Sequence, residues 1–133
     1  TQADIRYANF EGTAAAGLNR RGVAIADPGR KFDKVVYSSY PRFNYHPSLI
    51  DDLVRTGFDV VSTANNHAMD REPPGVDATL AALDKGGLKH TGTRATTAFL
   101  VTRIGGVIYG FSYPKAYHAQ VKNLIQLIEW ELQ

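Results

Sequence analysis

Residues 56–70 read Thr56-Gly57-Phe58-Asp59-Val60-Val61-Ser62-Thr63-Ala64-Asn65-Asn66-His67-Ala68-Met69-Asp70. A glycine able to end a helix precedes an apolar run of strand length, and the run breaks into two amides, an imidazole and a carboxylate. Open α/β sheets present chemistry in this way. Loops leaving the carboxyl ends of their strands hold polar side chains on a rigid support and line the ligand crevice. Asn65, Asn66, His67 and Asp70 are expected there.

On the upstream side, Pro47 stands at the favoured first position of a helix. Leu49, Ile50, Leu53 and Val54 form its apolar stripe, Asp51 and Asp52 lie in its early turns, and Gly57 stops it. On the downstream side, Pro73 or Pro74 opens a second helix, with Val76, Leu80 and Leu83 inward and Gly86-Gly87 at its close. Leu88 to Gly92 then reads as the next parallel strand. Strand, helix and strand at this spacing make a βαβ unit with a right-handed crossover.

Nearer the start, Ala3 to Phe10 alternates Ile5, Tyr7 and Asn9 with Arg6, Ala8 and Phe10, which predicts a strand with two unlike faces. Asn9 and Glu11, two apart, would point to one face and could approach one ligand. A polar strand end before the Gly12 turn is the plainer alternative. Gly12 to Pro47 is rich in Gly, Ala, Arg, Pro and aromatics, and reads as loop, a brief strand near Lys34 to Ser38, then loop. Arg20, Arg21, Arg30, Lys31 and Lys34 make it locally basic, which suits an anionic ligand or a solvated face. His46, before Pro47, is expected in a turn.

Beyond the βαβ unit, Ala98 to Ile104 and Val107 to Ser112 are β-rich runs around Gly105-Gly106, a hairpin signal that makes the sheet mixed. From Ala116 the pattern is helical, with Val121, Leu124, Ile125, Ile128 and Leu132 on one side. Leu127 and Trp130 fall off that stripe, so this helix is either buried more widely or meets a partner, self-association through residues 116–133 being the partner reading.

Composition limits the function classes. The 133 residues fit a single domain, 1–133, with a modest core, and the 44% hydrophobic and 21% charged content is that of a globular protein. Fifteen basic against thirteen acidic side chains, with no long block of either, give no case for nucleic acid. Without cysteine there is no disulfide, thiolate nucleophile or Cys-ligated zinc. No apolar run approaches the roughly 18 residues of a membrane span, and no signal segment opens the chain. A start at Thr1 rather than methionine leads us to expect an upstream segment.

A metal or phosphate site needs oxygen and nitrogen donors converging from several strand ends. Asn66 offers an amide oxygen, His67 an imidazole that can ligate or donate a proton, and Glu11 and Asp70 offer carboxylates. Without thiolates or clustered histidines, manganese, magnesium, iron or zinc would suit these donors. Alternatively, Asn65, Asn66 and Asp70 cap the following helix and tie down their loop.

The run Gly57 to Asp70, followed by Gly75, Thr79-Leu80, Leu83, Gly86-Gly87 and His90-Thr91-Gly92, resembles the bacterial CapA-like capsule-synthesis family, which includes the poly-gamma-glutamate synthesis proteins. Ala3-Asp4-Ile5 with Asn9-Phe10-Glu11 is similar to that family's preceding Asp and Asn-Leu-Glu motif. The resemblance implies a calcineurin-like metallophosphoesterase fold: an α/β sandwich of mixed β-sheets flanked by helices, with a divalent metal at the strand ends. By the same resemblance Asn66 and Glu11 are metal ligands, His67 is catalytic, and Asn65 and Asp70 contact substrate.

Other family motifs, an earlier Gly-Asp and later His-containing segments, have no counterpart here, so the chain reads as a partial member. Asp70-Arg71-Glu72-Pro73-Pro74-Gly75 also departs from the usual Asp-x-Gly-x-x-Gly. The implied activity is phosphoester hydrolysis in capsule or poly-gamma-glutamate biosynthesis. The alternative is a non-catalytic envelope module that binds or helps export an anionic polymer. Either setting would be extracytoplasmic, at the cell envelope.

Overall fold

The computed structural model describes residues 3–94, 97–104, 107–114 and 118–131. The chain is α/β, and it divides into two compact units, Thr1–Ala95 and Thr96–Gln133.

In the first unit three short strands, β1 (Tyr7–Asn9), β2 (Val60–Ser62) and β3 (Lys89–Thr91), form a parallel sheet in the order β1-β2-β3. Ala8, Val61 and His90 lie in register across it. Helix α1 (Ser48–Thr56) precedes β2, and α2 (Glu72–Gly86) joins β2 to β3. Strand alternation sends Val61 into the core, where it packs with Phe10, Ala14, Ile50, Leu83 and Leu88. Both helices end as their glycines predict: Gly57 and Gly87 adopt left-handed φ of 92° and 72° and return their N–H groups to the last turn. Helix α2 starts at Glu72, just ahead of both prolines, because a first helical turn needs no internal N–H donors.

Two expectations need correction here. The strand expected over Ala3 to Phe10 is confined to Tyr7–Asn9. At its start Arg6 instead bonds the Asp59 carboxylate through its N–H, and its carbonyl accepts from Asp59 and Val60. The brief strand expected near Lys34 to Ser38 does not form; only an isolated bridge pairs Ser38 with Asn44. The cause is Asp33, whose Oδ1 accepts the N–H groups of Val35, Val36 and Tyr37 at 2.9–3.0 Å. Those donors are consumed locally and no ladder can use them.

The long segment between β1 and α1 is instead held by buried polar side chains. Asn44 accepts from Thr13 Oγ1 and Ala15 N–H, and donates to the carbonyls of Ala15 and Val36. Arg71, fully buried, donates to the carbonyls of Leu18, Val36 and Asp70 and to Ser38 Oγ. Burial lowers its affinity for a proton, and the nearby Asp70 charge works against that shift.

In the second unit β4 (Thr97–Ile104) and β5 (Val107–Pro114) pair antiparallel, with Ile104 opposite Val107. Gly105 and Gly106, the expected turn, lie outside the described residues. Helix α3 (His118–Glu131) packs against β4. The expected start at Ala116 also lies outside them, as do the side chains of Trp130 and Leu132. Of the expected stripe Ile125 is buried, whereas Leu124, like the off-stripe Leu127, is more than half exposed. Among the described residues no helix is long and apolar enough to cross a membrane.

Candidate functional site

The ends of β1 and β2 lie side by side, and the pairing runs on past β1 because Phe10 N–H donates to Ser62 O at 2.8 Å. This places Asn9, Glu11 and the Asn65–Asp70 loop at one sheet edge. Asn65 straps the two strand ends together. Its Nδ2 donates to Asn9 Oδ1 (3.1 Å) and Phe10 O (2.9 Å), and its Oδ1 accepts from His67 N–H (3.0 Å). The loop then turns on itself through Ala68 N–H to Asn65 O and Asp70 N–H to His67 O.

The consequence is a fixed imidazole. His67 Nδ1 lies 2.7 Å from Asp70 Oδ2, and its ring meets Phe43 edge to face with centroids 4.6 Å apart. Asp70 is 8% exposed, and its Oδ2 also accepts Phe43 N–H at 2.6 Å. An ionised carboxylate can only accept, so the pair requires the proton on Nδ1 and leaves Nε2 as the chemically available nitrogen. Nε2 faces Glu11, 3.9 Å from Oε1.

Glu11 is held by neighbours at both ends. Asn9 Nδ2 donates to its Oε2 (3.2 Å), and Tyr45 Oη donates to its backbone carbonyl (2.9 Å). Burial, then the charges of Glu11 and Asp70, push the Tyr45 phenol above the usual tyrosine range, so it stays a donor. Gly12 follows with φ of 134°, and a Cβ there would lie 2.8 Å from the Tyr45 ring and 2.9 Å from Phe43 Cβ. Glycine is required for both reasons.

Of the residues expected from sequence, the fold brings Glu11, His67 and Asp70 together. Asn65 spends both ends of its amide on the strap. Asn66 is exposed beside them, and its side chain makes no hydrogen bond among the described residues. Phe43, Tyr45 and Arg71 were not singled out from sequence. The alternation Phe43-Asn44-Tyr45, aromatics on one side and a buried amide on the other, was a signal for the first two. Nothing local distinguishes Arg71 from a solvated arginine.

Glu11 Oε1 lies 3.9 Å from His67 Nε2, and the neighbouring Asn66 has an amide oxygen with no hydrogen bond among the described residues. Among the described residues no cluster of three or more His, Asp or Glu forms a metal site. Glu11 and Asn66 offer oxygen donors of the kind a hard dication takes, and the carboxylates and histidines gathered among the described residues are too few for a two-metal clamp.

No curated protein matches this chain. The family model for the bacterial capsule synthesis protein PGA_cap matches residues 1–124, a span that includes β1, both βα loops of the sheet and the whole Glu11–His67–Asp70 cluster. With nearly its full length covered by that match, the chain belongs to the bacterial capsule synthesis protein family.

Proposed function

We propose that this capsule-synthesis protein carries a phosphoesterase-type hydrolytic site centred on His67. The observation behind the reading is the imidazole clamped between Asp70 and Phe43 with Nε2 turned to Glu11. Asp70 fixes the ring's tautomer and stabilises its protonated form, and Glu11 adds negative charge on the far side. Protonated His67 then donates from Nε2 to the leaving oxygen as the P–O ester bond breaks, while water supplies the new oxygen on phosphorus.

Glu11 and Asn66, with His67 beside them, would hold a divalent cation, whether manganese, magnesium, iron or zinc. When bound it supplies Lewis-acid neutralisation of phosphoryl charge. Asn65 keeps the strand ends closed so that these groups stay in register. The setting we assign is capsule or poly-gamma-glutamate synthesis at the outer face of the cell envelope.

The test is metal content by elemental analysis together with hydrolysis of bis(p-nitrophenyl) phosphate. Wild type should bind metal and hydrolyse the ester. Glu11→Gln and Asn66→Ala should lose metal, and His67→Ala should keep it while losing about a hundredfold or more in rate. A folded wild type that binds no divalent metal at neutral pH and leaves the ester intact overturns the reading.

A second reading rests on the five cations between Gly12 and Lys34, against two carboxylates there. In it the chain is a non-catalytic module holding an anionic polymer such as poly-gamma-glutamate. Salt-sensitive retention of that polymer by a chain without hydrolytic activity would support it.

A further inference from the structure

Behind the wall formed by Phe43 and Tyr45 lies a groove of about 520 Å³ that the hydrolytic reading does not use. Phe32, Tyr37, Phe43 and Tyr45 line it, with Arg30 and Lys31 at its rim. A second hollow of about 290 Å³ shares Phe32, Ser38 and Ser39 with the first, and adds Tyr40, Arg20 and Lys34. The two make one run of surface, aromatic along its length and flanked by four cations. None of those cations joins an ion pair among the described residues. The one carboxylate lining either hollow among the described residues is Asp52, and it is already paired with Arg55.

The aromatic rings sit on fixed supports. Tyr37 is buried and its hydroxyl donates to Asp27 Oδ2 at 2.7 Å, while Phe43 and Tyr45 lie nearly parallel at an interplanar angle of 22°. Phe32 and Tyr40, by contrast, are 57% and 79% exposed, an arrangement that hydrophobic burial within this unit does not explain. Cations alone would serve any polyanion. Ring faces add something specific, because the C–H faces of a sugar are apolar and weakly positive and pack against the negative face of an aromatic ring. A polyglutamate chain has the charge without the rings, and a neutral glucan has the rings without the charge.

We infer that this groove binds an acidic polysaccharide, with sugar rings against Phe32, Tyr40 and the Phe43–Tyr45 wall and acidic groups against Arg30, Lys31, Arg20 and Lys34. The inference rests on the anionic-polymer reading for the charge of the ligand, and goes beyond it in requiring a ring-bearing chain. Phe43 touches both this groove and His67, so the groove and the imidazole lie on opposite sides of one ring.

Titration calorimetry with the full chain tests this, using an oligogalacturonate, a maltooligosaccharide and an oligo-γ-glutamate of equal length. The oligogalacturonate should bind tightest and weaken with added salt. Phe32→Ala, at an exposed position that leaves the core intact, should weaken it about fivefold, the effect of losing one ring contact. Arg30→Ser with Lys31→Ser should weaken it as well and flatten the salt dependence. If oligo-γ-glutamate binds as well or better and ignores Phe32→Ala, the saccharide inference is overturned while the anionic-polymer reading survives. If none of the three binds, both are overturned. Equal binding of the neutral maltooligosaccharide also overturns the inference, since the cations would then contribute nothing.

Discussion

His67 has one nitrogen committed and one available, and Asp70 decides which is which. The Asp70 Oδ2 atom takes both the imidazole Nδ1–H and the Phe43 N–H, so the ring, the loop and the aromatic wall are fixed by one oxygen. In Asp70→Leu no oxygen remains to accept either N–H, so the imidazole loses both the partner that fixes its tautomer and the charge that stabilises its protonated form. We expect the ¹⁵N shifts of His67 to show the neutral ring's proton no longer held on Nδ1. Phosphoester hydrolysis should fall about a hundredfold or more with KM little changed. Unchanged ring shifts would remove Asp70 from this role. The Asn-Asn-His-x-x-Asp spacing made the cluster legible in the sequence. The division of labour within it was not, because Asn65 reaches Asn9 and Phe10 more than 50 residues away.

Among the elements, those with local punctuation were readable. Gly57 and Gly87 end their helices where an L side chain would resist left-handed φ, and the prolines mark the start of α2. The segment from Gly12 to Pro47 was opaque because its order comes from distant side chains rather than from periodicity. Val35-Val36-Tyr37 has strand-forming residues, yet Asp33 claims their N–H groups. Arg71, at the entry to α2, then ties Leu18, Val36 and Ser38 of that segment to the loop that carries Asp70. Arg71→Met would take a donor from the carbonyls of Leu18, Val36 and Asp70 and from Ser38 Oγ in a dry interior. A loss of about 3 kcal/mol or more is expected, from several unsatisfied groups at about 1–3 kcal/mol each. Urea unfolding followed by circular dichroism would measure it, and a change below about 1 kcal/mol would mean that water reaches those carbonyls.

Over the whole molecule the charge is small, +2, but unevenly spread along the chain. Residues 12–34 hold five basic and two acidic side chains, so the rest of the chain is close to neutral and slightly acidic. A field of this kind attracts polyanions through one region, and within about a Debye length the nearest charges dominate. Retention on a polyanionic matrix should therefore depend on where cations are removed and not on how many. Replacing Arg20, Arg21 and Lys34 by serine should shift elution to clearly lower salt. The same replacement at Lys85, Lys89 and Arg94, all exposed and outside the segment, should shift it little. Both triple variants change net charge equally, so unequal elution isolates position. Equal shifts would mean that the matrix reads total charge, and the basic segment would then be a solvated face with no preferred anionic partner.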